Sequence, residues 1–260
     1  MLPHLGYYLG KKPARAGAVR FQFAKYVDVA SIRVPPVFGH VVNEDYGMFG
    51  NDRAGDCVEC NVAHQIMIDA AATRRSIPRF YETSVLKVYS DWTGYNPAAR
   101  VDAKGNNPTD GGTDMSDAAS RWRTQGFPDA TGLMHYSKAY AGLPIGDFDT
   151  LIKATYLFGA VSVGVNLQQA QVEQFDAYLP WRHDVNSPII GGHCITACGM
   201  NSRGMLVCIS WGRTTAVERN VIEQQMDEAI VTFSREYLMA TGKSPELYDE
   251  ATLDLDLASL

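Results

Sequence analysis

Asn51-Asp52-Arg53-Ala54-Gly55-Asp56-Cys57-Val58-Glu59-Cys60 is the stretch on which the reading of this chain turns. Gly55 or Asp56 can cap a helix here. From Cys57 to about Thr73 the apolar residues Val58, Val62, Ile66, Met67 and Ala70 recur every three or four positions, the period of a helix that buries a face. Cys57 then stands in the first helical turn, where the positive end of the helix dipole favours thiolate over thiol and so makes a nucleophile. The competing reading is a small buried hydrophobe, the commonest fate of a free cysteine.

Working outward, the chain reads as helices first and strands later. A second helix is expected from about Glu82 to Trp92, ending in Thr93-Gly94-Tyr95-Asn96-Pro97, and Asp102 to Gly112 is rich in turn formers and reads as a surface loop. Asp114 caps a helix through Gln125 that Gly126 closes, with Ala118, Ala119 and Trp122 facing inward. Beyond it, Leu133–Tyr140 reads as a strand, Asp147 caps a helix to about Phe158, and β-rich runs follow at Ala160–Leu167, His193–Met200, Met205–Trp211 and Ala229–Phe233. This order predicts an α+β fold of two lobes. The expected division is an extended N-terminal arm over 1–44, a helical lobe over 45–130 carrying Cys57, a β-rich lobe over 131–240 carrying His193, and an acidic C-terminal tail over 241–260.

The 260 residues carry 23 Lys and Arg against 29 Asp and Glu, a formal charge of −6, which argues against a nucleic-acid partner for the folded body. No apolar run reaches the length of a membrane span, and the first twelve residues lack the pattern of a secretory leader. Five cysteines are an odd number, read as reduced thiols in a cytoplasmic setting. Residues 1–25 carry five basic groups and no acid, and residues 245–260 carry five acids and no base. These ends are solvated tails or docking arms, the alternating Leu253-Asp254-Leu255-Asp256-Leu257 being able to add a strand to a neighbour's sheet.

Cys57 and Cys60 have the two-residue gap of a zinc knuckle, but Cys194 and Cys198 on one strand face would stand about 13 Å apart, too far to share an ion with them. No metal and no cofactor is expected, and His64 is assigned no role.

The strongest chemical pairing is Cys57 with His193. Around it, four blocks resemble the papain-like cysteine peptidase superfamily: Asn51 to Cys57; Asp110-Gly111-Gly112-Thr113-Asp114-Met115; Leu151-Ile152-Lys153-Ala154 through Gly159 to Val165; and Gly191-Gly192-His193-Cys194-Ile195-Thr196 with Leu206-Val207-Cys208-Ile209-Ser210-Trp211-Gly212. The wording is most similar to that of papain-like proteins encoded by bacteriophages. The resemblance implies a helical lobe and a β-barrel-like lobe with the site between them, Cys57 attacking a carbonyl, and His193 handling its proton. It also implies that Asn51 helps to bind the oxyanion, that the Gly111 and Gly112 backbone lines the cleft, and that Trp211 acts as an apolar cover. Asn51 could equally bond its own turn. At the place where the family carries an orienting Asn, this chain has Ile209, which accepts no hydrogen bond; Ser210, a water, Asp184 or Asn186 would have to fix the imidazole. Two functions follow: a cysteine hydrolase of peptide or isopeptide bonds acting on a peptide or protein substrate, weakened or degenerate through Ile209, or a virion structural protein using the fold as a scaffold against capsid subunits or itself.

Overall fold

The computed structural model describes residues 6–25, 27–39 and 45–237. The acidic tail expected over 241–260 lies outside them. Six helices and nine strands are described: β1 (Phe38–Gly39), α1 (Cys57–Ala72), α2 (Glu82–Thr93), α3 (Met115–Thr124), β2 (Phe127–Pro128), β3 (Met134–His135), β4 (Ser137–Gly142), α4 (Phe148–Phe158), β5 (Val161–Gln168), α5 (Gln169–Asp176), β6 (Ile189–Met200), β7 (Leu206–Ser210), β8 (Arg213–Val217), α6 (Arg219–Gln225) and β9 (Met226–Ser234). Asp114 and Asp147 cap α3 and α4 as expected, each side chain accepting the backbone N–H three residues on. The run expected as one strand over Leu133–Tyr140 is instead two, β3 pairing with β2 and β4 with β9.

The second lobe is an antiparallel sheet in the order β4-β9-β5-β6-β7-β8, with β1 on β6. Among the described strands β4 and β8 do not pair, so the sheet does not close into a barrel. One apolar cluster fills it, from Phe158, Val161, Val163 and Val165 to Trp181, Ile195 and Val231. A second cluster, including Ile66, Ile68, Val85, Trp122 and Phe127, holds the helical lobe together.

The central helix departs from the expected one-faced pattern. Every residue of α1 from Cys57 to Ala70 is buried, because the helix is enclosed by α2, α3 and the β6 face of the sheet. Its polar side chains are therefore paired: Asn61 Nδ2 and Gln65 Nε2 donate to Ser162 Oγ at 2.6 and 2.7 Å, and Thr196 Oγ1 donates to Asn61 Oδ1 at 2.7 Å. These bonds fix α1 against β5 and β6, which is what sets its N-terminal end opposite the strand carrying His193.

Candidate active site

Residue 57 opens α1 and residue 193 lies in the middle of β6, opposite Val165 of β5. Cys57 and His193 line one small crevice together with Asn51, Cys60, His64, Ser210 and Trp211, and its free space is about 10 Å³, room for one water at most. The pair that the sequence singled out is thus brought to one place, but with almost no free space between the side chains.

His193 Nε2 lies 2.9 Å from Ser210 Oγ, and its Nδ1 is buried without a hydrogen-bond partner among the described residues. The Trp211 indole stacks on the imidazole with centroids 4.4 Å apart and planes 21° apart. Trp211 and Gly212 form the two-residue turn between β7 and β8, both at positive φ (43° and 78°), with Ser210 paired to Arg213 across it. This is the twist a type I′ hairpin requires, and it aims the indole over the histidine. Of the orienting groups considered, Ser210 is the one in contact with His193. Asp184 is exposed in a loop, where it accepts from the Asn186 N–H. Ile209 is buried with the helical-lobe core.

The electrostatics reverse the expectation of a low-pKa thiol. Burial pushes Cys57 up to about 12; the backbone amides of Gly10 and Cys194 pull against it, and Glu59 and Asp56 add to the rise. The helix end is worth about 1 kcal/mol, less than one pKa unit, whereas full desolvation moves a group by several units. Burial alone takes His193 down to about 3. At neutral pH the crevice therefore holds a neutral thiol beside a neutral imidazole.

Asp56 occupies the N-cap position of α1 without a capping bond from its side chain. Burial, reinforced by Glu59, raises its carboxyl well above the ordinary range, and burial takes Glu59 up to about 8 against its bond from Thr113 Oγ1 at 2.7 Å. Asn51 is buried in the same crevice, where its Nδ2 donates to Ala54 O at 3.0 Å, the bond within its own turn. His64, to which the sequence gave no task, lines the crevice with Nε2 3.0 Å from Gly47 O, and burial lowers it to about 4.

The N-terminal segment is bonded to residues that line the crevice. Tyr8 N–H donates to Asn51 O at 2.9 Å, Lys11 N–H to Gly192 O at 3.2 Å, Thr113 N–H to Gly10 O at 2.7 Å, and Lys12 N–H to Thr113 O at 3.0 Å. Residues 7–12 thus lie between the Gly111–Thr113 segment and the His193 strand, and Tyr7 stacks on the outer face of Trp211 at 4.5 Å. Trp211 Nε1 donates to Tyr8 O at 3.3 Å. Farther along, Arg15 pairs with Asp114 at 2.6 Å, tying the segment to the cap of α3. The sequence marked this region as a basic arm, but its seat depends on pairing with residues from Asn51 to Gly192, far along the chain, which no local pattern encodes.

No known family model matches the chain, and no curated protein matches it by sequence. Solved structures do. Xylellain, a cysteine protease from Xylella fastidiosa, superposes with a TM-score of 0.64 at 15% identity, over 87% of this chain and 96% of that one. Procathepsin B S9 from Trypanosoma congolense gives 0.59 at 11% identity, over 88% and 87%. Digestive procathepsin L 3 from Tenebrio molitor gives 0.57 at 13%, over 89% and 77%. The chain has the papain-like two-lobe fold.

Proposed function

We propose that this protein is a cysteine peptidase in a latent state, with Cys57 as nucleophile, His193 as base, Ser210 as the group that orients the imidazole, and residues 7–12 seated across the pair. The observation that carries the reading is the hydrogen bond between His193 Nε2 and Ser210 Oγ, which engages one ring nitrogen and leaves the unpartnered Nδ1 as the proton acceptor in a crevice shared with Cys57. The likeness in fold to cysteine proteases supports it.

In the opened site, water and substrate polarity relieve the burial that holds the thiol neutral. Nδ1 takes the Cys57 proton as sulfur bonds to the substrate carbonyl carbon. The tetrahedral oxyanion is met by the Cys57 backbone N–H and the Asn51 amide, turned from Ala54 O. The C–N bond then breaks, the imidazolium returns its proton to the leaving amine, and water hydrolyses the thioester to free Cys57.

A second reading, a non-catalytic scaffold, is favoured by one observation: Cys57 and His193 are both buried and held in their neutral forms. The two readings part on a single comparison. A full-length Gly10→Ala chain, whose own segment no longer fits, is expected to cleave denatured casein, and the same chain with Cys57→Ser is expected not to. An opened chain whose Cys57 is alkylated readily by iodoacetamide yet cleaves nothing leaves only the scaffold.

A further inference from the structure

The seated segment fits its crevice by shape at one residue and by charge at the next. A Cβ built on Gly10 would stand 1.7 Å from the Gly55 carbonyl oxygen, so the slot beside Cys57 admits backbone and no side chain. The Gly10 backbone amide also lies close enough to Cys57 to favour its thiolate. Immediately after it, the Lys11 stem crosses the bare face of Gly164, where a Cβ would lie 2.0 Å from Lys11 Cε, and runs beside Met115. The stem ends with Nζ 2.9 Å from Asp227 Oδ2 and 2.9 Å from Lys12 O, and the Lys11 side chain is fully buried. The second oxygen of Asp227 is buried with no hydrogen-bond partner among the described residues, and Glu228 lies close enough to Lys11 to feel its charge. On the other side of Gly10, Leu9 rests on Gly191. A slot without room for a methyl group, leading to a tunnel wide enough for an unbranched stem and closed by a carboxylate, is a recognition device.

We propose that the crevice selects extended peptides that carry glycine opposite Cys57 and lysine on its carboxyl side, with Asp227 as the residue that reads the lysine; Leu9-Gly10-Lys11 is the built-in example of the class. This rests on the peptidase reading for its consequence in catalysis, but binding is measured separately from cleavage.

The experiment follows alkylation of Cys57 by iodoacetamide, read by mass spectrometry, in the full-length Gly10→Ala chain. Acetyl-Tyr-Tyr-Leu-Gly-Lys-Lys-amide is expected to protect Cys57, and the same peptide with alanine for glycine, or with norleucine for the lysine after it, to protect at about tenfold higher concentration. Asp227→Asn, added to the opened chain, should remove the preference for lysine and keep that for glycine. Equal protection by the three peptides overturns the proposal. A second opened chain, Leu9→Asp with Lys11→Glu, serves if the first does not fold, and if neither is alkylated faster than the parent the proposal fails, since no peptide then reaches the slot. Selective protection without cleavage refutes the peptidase and keeps the selectivity; cleavage indifferent to glycine and lysine does the reverse.

Discussion

His193 and His135 are both buried imidazoles on strands, and their surroundings drive them in opposite directions. His193 has one neutral partner, Ser210, and burial takes it down to about 3. His135 is buried too, which alone would lower it, but Nδ1 lies 2.9 Å from Glu236 Oε1 and Nε2 3.6 Å from Asp129 Oδ2, and the two carboxylates raise it above the ordinary histidine value. Burial sets a histidine neutral unless charge is buried with it. The cavities run the other way from the chemistry: the cleft beside His135 measures about 780 Å³ and the crevice at His193 about 10 Å³. In this molecule the large opening goes with an ion-paired histidine and no cysteine among the residues lining it, and Cys57 and His193 lie where there is almost no room.

This contrast is open to a double dissociation. His193→Gln in the opened chain is expected to lower peptide hydrolysis by on the order of 10³-fold while leaving the urea midpoint close to that of the parent. His135→Phe should do the opposite, leaving Glu236 and Asp129 without their cation at a cost of about 3 kcal/mol in urea unfolding, with the rate of Cys57 alkylation unchanged. A large stability loss from the first variant, or a change in alkylation from the second, breaks the comparison.

The sign with pH sharpens it. Because the folded state holds the His135 proton more tightly than the unfolded chain, the stability this group adds is full below its ordinary range and is lost as pH rises through its raised value. Urea midpoints across pH 5 to 9, a window of about four units around the histidine range, should show that decline in the parent and not in His135→Phe.

Smaller effects are expected nearer the crevice. Ser210→Ala should lower kcat of the opened chain by about tenfold with KM unchanged, and Ser210→Asn should restore it, since the task is to hold one tautomer. Loss of stability with no change in kcat would make Ser210 a packing residue. Glu59 binds its proton more tightly folded than unfolded, so the stability it adds is complete below pH 4.5 and falls as pH rises toward 8. Glu59→Gln should therefore be the more stable chain at alkaline pH, by on the order of 1 kcal/mol, and match the parent in acid.

The elements that announce themselves locally were legible in the sequence. Asp114 and Asp147 carry their helix starts in their own chemistry, and the valine- and isoleucine-rich runs carry β5, β6, β7 and β9. The elements α5, β8 and α6 escaped, being short and polar, with Gln169-Ala170-Gln171 and Arg213-Thr214-Thr215 giving no apolar period. At the site, Cys57, His193, Ser210 and Trp211 were legible as residues and as neighbours. The state of the thiol was not, because the dipole at a helix end is local, whereas the burial that overrides it comes from Val19, Met115, Ala118 and Ile230, distant in sequence on either side. The same distance hid the path of Lys11 to Asp227, 216 positions apart.

The hairpin turn at residues 211 and 212 trades local strain for packing. A type I′ turn prefers asparagine followed by glycine, and a tryptophan at φ 43° strains the backbone by about 1 kcal/mol. The indole more than offsets that cost, because it is packed among Tyr7, Phe175, Trp181 and His193, and removing a buried aromatic costs about 3–5 kcal/mol. A library of this protein selected only for heat resistance should therefore keep tryptophan at 211, and so preserve the cover over His193 without ever being tested for it.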